Sequence, residues 1–195
     1  MDVLFTPSNY LFPFSWAEVF EKPQPIEFDI GCGDGGFLCE AARARPDHNF
    51  FGTERLLGRA RKIERRARRE ELRNVRVLRL ESHYAIRYLV PAGSVACFHL
   101  YFPDPFPKKK QQKRRLVTPE FAGAAARALE PGGRFWVRTD HADYFERIVE
   151  VLRGADLLDD WGESDESGYI ATDFEKDFRR EGRTVYRAAF RKRRP

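Results

Sequence analysis

Ile26-Glu27-Phe28-Asp29-Ile30-Gly31-Cys32-Gly33-Asp34-Gly35-Gly36 is the stretch that decides the fold. Its first five residues read as a short strand, glycines break it at once, and Phe37–Arg45 is patterned as a helix. A strand passing through a glycine turn into a helix opens an α/β unit whose loop lets backbone approach a ligand closely. Gly31-x-Gly33-x-x-Gly36 also satisfies the dinucleotide fingerprint, so spacing alone leaves the ligand open.

Working outward, strand and helix patterns keep alternating. Asn49–Thr53 is a second strand, and Leu56, Ala60, Ile63 and Ala67 predict an amphipathic helix over 56–72 with arginines outward. Val75–Leu80 is a third strand, with a helix near Tyr84–Leu89. Val95–Phe102 is the fourth and most apolar. Thr118 caps a helix over Pro119–Leu129 that has proline at its first position. Pro131-Gly132-Gly133 turns into a fifth strand, Arg134–Thr139, followed by a helix over Ala142–Leu152. Thr184–Phe190 reads as a late strand and 172–183 as a loop. Five strand–helix units imply an α/β fold: a doubly wound, mostly parallel, Rossmann-like sheet with ligands at the C-terminal ends of its strands. Residues 1–25 are expected to be an irregular arm packed by Phe12, Phe14, Trp16 and Phe20, and residues 26–195 one domain.

Charge lies in blocks. Arg55 to Arg73 carries nine cations against three anions, Lys108 to Arg115 six against none, and Lys176 to Arg194 nine against two. One such block is often a solvated face, whereas three beside candidate site segments favour a polyanionic partner. Cys32, Cys39 and Cys97 are odd in number and lack Cys-x-x-Cys spacing, which suits reduced core thiols better than disulfides or zinc. No metal is expected, and no obligate protein partner is implied. With no leader-like segment and no apolar run of membrane-spanning length, a cytoplasmic protein is expected.

Acids decide the ligand. Asp29 before the glycines and Asp34 among them would repel a pyrophosphate, but would attract an ammonium group and accept from hydroxyls. S-adenosylmethionine, with an ammonium, a sulfonium and no phosphate, fits a loop whose backbone approaches through Gly31 and Gly33. Glu54 ends the second strand, where an acid meets ribose hydroxyls in such folds, and Glu81 ends the third, where it could accept from the adenine amine. Asp104 completes a series of acids at successive strand ends. It is bracketed by Pro103 and Pro105, which restrict the backbone on both sides, and six cations follow within Lys108–Arg115. A stiffly held carboxylate suits orienting a base, and the cations suit a nucleic acid.

These residues resemble the bacterial tRNA (guanine-N7-)-methyltransferase family from about Trp16 to Phe190. Phe102-Pro103-Asp104-Pro105-Phe106 with Lys108 and Lys113-Arg114-Arg115 is similar to its Phe-Pro-Asp-Pro-Trp block and basic segment. Asp29-Ile-Gly-x-Gly-x-Gly is similar to its cofactor loop, Gly52-Thr-Glu54 to its second-strand acid, and Thr139-Asp140 to a pair after the fifth strand. Thr172-Asp173-Phe174-Glu175 matches a Thr-x-Phe-Glu motif. The chain departs from the family at Asp29 (commonly Glu), Glu81-Ser82 (Asp-Ala) and Phe106 (Trp). The resemblance implies an S-adenosylmethionine-dependent methyltransferase fold that modifies N7 of the variable-loop guanine, position 46, of tRNA. It implies that Asp29, Gly31, Gly33, Glu54, Glu81 and Asp104 surround the cofactor, while Lys108, Asp140, Thr172, Phe174 and Glu175 meet the RNA.

Guanine N7 carries a free lone pair at neutral pH, so orientation rather than a general base is what the reaction needs. Asp104, the expected catalytic residue, and Asp140 are placed to accept from the guanine N1–H and amine, although Asp140 could equally cap the helix after it. His48, His83 and His99 lack spacing partners for a metal or a triad. Three other functions remain open. An exocyclic-amine methyltransferase would carry Asn/Asp-Pro-Pro-Tyr/Phe where this chain has Asp-Pro-Phe-Pro. The others are a non-catalytic RNA-binding module and, against the acidic loop, a nicotinamide oxidoreductase.

Overall fold

A computed structural model describes residues 2–155 and 170–194, with residues 158–160 described in backbone only. In chain order the elements are β1 (Leu4–Phe5), α1 (Trp16–Val19), β2 (Ile26–Asp29), α2 (Gly36–Ala44), β3 (Asn49–Thr53), α3 (Leu57–Arg69) and β4 (Val75–Leu78). A short helix α4 (Ser82–Tyr84) widens into a π turn over Ala85–Leu89. Then come β5 (Val95–Tyr101), a 3-10 segment (Lys109–Arg114), α5 (Pro119–Ala128), β6 (Leu129–Thr139), α6 (Ala142–Arg153), β7 (Leu158–Asp160), α7 (Asp173–Arg180) and β8 (Tyr186–Lys192).

The strands form one eight-stranded sheet in the order β1-β4-β3-β2-β5-β6-β8-β7. From β1 to β6 every pair is parallel, and β8 is antiparallel to both β6 and β7. Apolar strand residues such as Phe50, Phe51, Val75, Val77 and Leu78 are fully buried, as sheets covered on both faces require. One layer packs Leu38, Phe50, Ile63 and Val77 under α2 and α3, and the other packs Phe28, Phe98, Phe121, Phe135 and Ile148 under α4, α5 and α6. The chain order reverses between β2 and β5, and ligands of open α/β sheets bind outside the strand ends at such a reversal.

Three differences from the sequence expectation have clear physical causes. Residues 4–5 pair with β4, and Phe14, Val19 and Phe20 join the core, so the expected arm shares the sheet and core of the domain that follows it; Phe12 stays 66% exposed. β6 begins at Leu129, because the register slips between Val95 and Cys97 and lodges Glu130–Gly133 as a bulge inside the strand. Residues 173–180, expected as loop, are helical. Phe174 and Phe178 recur at helical spacing, but six charges in eight residues make the segment read as a polar loop; the cap is plain, Thr172 Oγ1 accepting from Glu175 N at 3.1 Å. The Thr118 cap of α5 forms as expected, accepting from Phe121 N. All three cysteines are free thiols, and no helix among the described residues is long and apolar enough to cross a membrane.

Candidate active site

The glycine loop is strung across three strand ends. Ile30 N donates to His99 O at 2.9 Å, Gly31 N to Thr53 Oγ1 at 3.3 Å and Cys32 N to Thr53 O at 2.9 Å. Thr53 Oγ1 in turn lies 2.8 Å from the buried Ser82 Oγ, which ties the loop to the start of α4. Gly31 and Gly33 have φ of 72° and 56° with no atom within 4 Å of where a Cβ would stand, so conformation rather than crowding calls for glycine there. The space in front of them opens into a cavity of about 230 Å³ lined by Asp29, Gly31, Gly33, Phe37, Tyr101, Phe102, Thr172 and Phe174, among others.

Asp29 sits at the base of this cavity, 5% exposed, with no hydrogen-bond or ion-pair partner for its side chain among the described residues. Burial, reinforced by the nearby Glu54 carboxylate, pushes its carboxyl up to about 8. A buried acid left without an internal partner is costly, and a ligand cation would compensate it. Glu54 is also buried; its Oε1 accepts from Leu56 N at 2.7 Å, which leaves Oε2 free to accept from a hydroxyl. The residues therefore fit a ligand that brings an ammonium and vicinal hydroxyls. Asp34 takes a different part. α3 holds its carboxylate through Lys62 at 3.0 Å and Arg59 at 3.6 Å, so it pins the loop to the helix. Glu81 caps α4, with one oxygen accepting from His83 N and the other from Tyr84 N, and each oxygen retains one lone pair.

α7 roofs the cavity. Asp173 stands so close to α2 that a Cβ on Gly36 would lie 2.3 Å from its Oδ2, and Phe174 is 56% exposed beside Phe178 and Phe102. Thr172 is buried as the helix cap. Glu175 is fully buried. Its Oε1 accepts from Arg179 and Arg187 at 3.0 and 2.9 Å, and its Oε2 from Arg138 at 3.4 Å. With no free carboxylate surface, Glu175 can serve a substrate only through the guanidinium groups it holds.

Beyond β5 the chain is clamped. Phe102 and Phe106, flanking the Pro-Asp-Pro bracket, have φ of 51° and 40°, a left-handed backbone that costs ~1–3 kcal/mol per residue and persists only where surroundings impose it. Those surroundings are visible. Phe102 N donates to Arg138 O at 2.8 Å, Arg115 Nε to Pro105 O at 2.8 Å, and the Arg114 guanidinium lies 4.6 Å over the Phe106 ring. Asp104 itself is exposed, and Lys108 opens the exposed 3-10 segment. Asp140 does not cap α6; His141 does, through Nδ1, and Asp140 is ion-paired with Arg183. The neighbouring imidazole takes the cap because its ring nitrogen reaches Tyr144 N.

Sequence spacing gave no sign of one buried assembly. Glu27 accepts from His48 and His99, both at 2.7 Å, and pairs with Arg45 at 3.1 Å. Burial alone would raise Glu27, but those two hydrogen bonds and the Arg45 charge hold it well below the usual carboxylate range. Burial drives His99 downward despite its bond to Glu27. A neutral His99 then donates Nε2–H to ionised Glu27 and accepts at Nδ1 from the Tyr101 hydroxyl, 2.9 Å away. Tyr101, also under the Arg138 guanidinium at 4.3 Å, is thereby fixed as cavity lining. Cys97 lies close enough to Glu27 and His99 to suggest a metal cage, but Arg45 already supplies the cation there.

Residues 23–188 match a family described as "putative methyltransferase". The chain is 34% identical over 191 residues to the tRNA (guanine-N(7)-)-methyltransferase of Geobacter metallireducens, covering 95% of this chain and 90% of that protein. The Rubrobacter xylanophilus enzyme of the same name is 33% identical, with 94% and 84% covered. For that of Thermus thermophilus the identity is 34%, with 96% and 61% covered. Among solved structures, the 16S rRNA methyltransferase KamB superposes with a TM-score of 0.65 at 20% identity over 92% of this chain and 94% of that one, a likeness of fold. Since the matched span contains the glycine loop, the Pro-Asp-Pro bracket and the α7 roof alike, the chain belongs to the tRNA (guanine-N7-)-methyltransferase family.

Proposed function

We propose that this chain transfers the methyl group of S-adenosylmethionine to N7 of the variable-loop guanine, position 46, of tRNA in the cytoplasm, needing neither a metal nor an obligate protein partner. The observation that carries this is the buried, unpartnered Asp29 under an open glycine loop, on the side of the sheet from which the clamped Pro103-Asp104-Pro105 bracket emerges. When bound, the cofactor supplies an electrophilic methyl on a sulfonium. Asp29 takes the ammonium, the Gly31–Gly33 backbone allows close approach, Glu54 Oε2 accepts from the ribose hydroxyls, and Glu81 offers its remaining lone pairs to the adenine amine. Because N7 needs no deprotonation, the chain's contribution is to align it with the methyl and exclude other poses. Asp104 accepts from the guanine N1–H and amine, and its charge favours the cation that forms on the ring. Lys108 and the cations after it take the flanking phosphates. Phe174 offers an exposed ring for stacking, Glu175 orders Arg138, Arg179 and Arg187, and Thr172 starts the helix that presents them.

The test is incubation of bulk tRNA with labelled S-adenosylmethionine, followed by nucleoside analysis. Label in 7-methylguanosine is expected. Label in an N-methylated amine would move the protein to the exocyclic class. Tight tRNA binding with no label would make it a non-catalytic module.

A further inference from the structure

Part of the surface outside the cavity combines features that the proposed chemistry does not use. Tyr10, Phe12 and Tyr88 are 43%, 66% and 43% exposed, whereas the other described aromatic rings except Phe174 are buried or half-buried. They are held together: Tyr84 Oη donates to Tyr10 O at 2.8 Å, Phe14 N to Leu89 O at 3.1 Å, and the Tyr84 and Tyr88 rings lie 4.9 Å apart. Arg87 places its guanidinium 5.2 Å from the Tyr88 ring centre. Arg79 donates through Nε to Arg55 O. Arg55, Arg79 and Arg87 are all exposed, and none of them is ion-paired with a carboxylate among the described residues. Glu81, the acid nearest in sequence to the two tyrosines, has both oxygens engaged by backbone N–H groups.

Arg55, Arg79 and Tyr10 lie at the ligand end of the sheet, and Arg87 and Tyr88 lie further along the helix that leaves it, where the Arg87 carbonyl accepts from Arg127 at the end of α5. Arg55 follows β3, Arg79 and α4 follow β4, and the Tyr10 segment follows β1. The Lys108–Arg115 block follows β5, on the other side of the glycine loop. β3 and β2 separate β4 from β5, which puts ~14 Å between the two at ~4.8 Å per strand. Exposed rings beside exposed arginines, one of them over the Tyr88 ring, match single-stranded nucleic acid, in which bases seek π-faces and phosphates seek cations.

We propose that Tyr10, Phe12 and Tyr88, with Arg55, Arg79 and Arg87, form a second RNA-binding surface that stacks unpaired bases of the tRNA substrate. The target guanine is thereby held between two anchors, one on either side of the donor loop. The proposal rests on the tRNA reading of the function. Its test reads binding separately from methylation.

The affinity of bulk tRNA for the full chain is measured by fluorescence anisotropy over a range of salt, with thermal melting to confirm folding. Phe12→Ser with Tyr88→Ser should weaken binding about tenfold while leaving the salt slope unchanged, because stacking releases no counterions. Arg55→Gln, Arg79→Gln and Arg87→Gln together should flatten the slope by about 2, near 0.7 per cation on a single strand. S-adenosylmethionine affinity should not move in either variant. Unchanged tRNA affinity in both folded variants overturns the proposal. So does a loss confined to donor affinity, which would give the patch to the adenine, and so does wild-type self-association abolished by the serine pair, which would give it to a second copy. Wild-type protein that binds tRNA yet forms no 7-methylguanosine would remove the enzymatic reading and leave this surface standing.

Discussion

A carboxyl raised to about 8 by burial and a neighbouring acid is mostly protonated at pH 7, and this state of Asp29 has consequences in two directions. Against an unfolded value near 3.9 the native state binds the extra proton between about pH 4 and 8, so this residue makes stability fall as pH rises through that window and level off above it. A ligand cation reverses the preference, because it binds the ionised form. S-adenosylmethionine affinity is therefore expected to rise with pH towards 8, with proton release visible when calorimetry is repeated in buffers of different ionisation enthalpy. Asp29→Asn should lose this component, and identical proton release in that variant would refute the assignment. At Asp104 the expected effect is on turnover. Asp104→Ala should lower the single-turnover rate at saturating donor by ~10²-fold, and Asp104→Asn by less, with folding retained. A near-normal rate in the alanine variant would take Asp104 off the catalytic list. Asp29 and the glycines were legible in sequence because their chemistry is local. The burial of Glu175 was not, since the arginines that enclose it come from β6, α7 and β8, which only the folded sheet brings together.

Helix α7 rests on a cap, an ionic core and only two rings, Phe174 and Phe178, which explains both why so short and polar a segment reads as loop and its sensitivity to one hydroxyl. Thr172→Ala removes the acceptor for Glu175 N and should cost ~1 kcal/mol of stability. It should also weaken donor binding, since Thr172 and Phe174 line the cavity; a drop in melting temperature with unchanged donor affinity would separate α7 from the donor site. The 3-10 segment after Lys108 has no buried residue, so replacing Lys109, Lys110 and Lys113 by Gln should leave the fold and donor affinity intact. That variant should weaken tRNA binding and reduce its salt slope by about 0.7 per cation. An unchanged slope would make the segment a solvated loop. α3 and the strands β2 to β5 were recognisable because burial on one or both faces writes a period into the sequence, whereas the β6 bulge depends on how Leu129 and Arg134 register against β5.

Across the molecule, the sheet order follows from repeated right-handed strand–helix units, and the antiparallel end and the pairing of β1 with β4 are the parts that patterning could not supply. The Glu27 assembly ties this architecture to acid stability. Its carboxyl is held below an unfolded value near 4.3, so its stabilisation is complete above that value and is lost as pH falls through the folded one. Glu27→Gln leaves the partly exposed Arg45 without its counter-charge and gives the His99 Nε2–H a weaker acceptor, and should cost roughly 3 kcal/mol near neutrality. It should also remove part of the decline in denaturant midpoint between pH 5 and 2, and an acid limb identical to wild type would show that the assembly contributes nothing there. The cavity's floor and roof are far apart along the chain: Asp29 to Gly33 are synthesised well before Thr172 to Asp177. A growing chain on the ribosome can thus pair its parallel strands long before it can close around any ligand of this cavity. Such a ligand cannot assist folding until the roof has emerged, and a chain stalled before residue 172 would hold the parallel strands β1 to β6 without a sealed site.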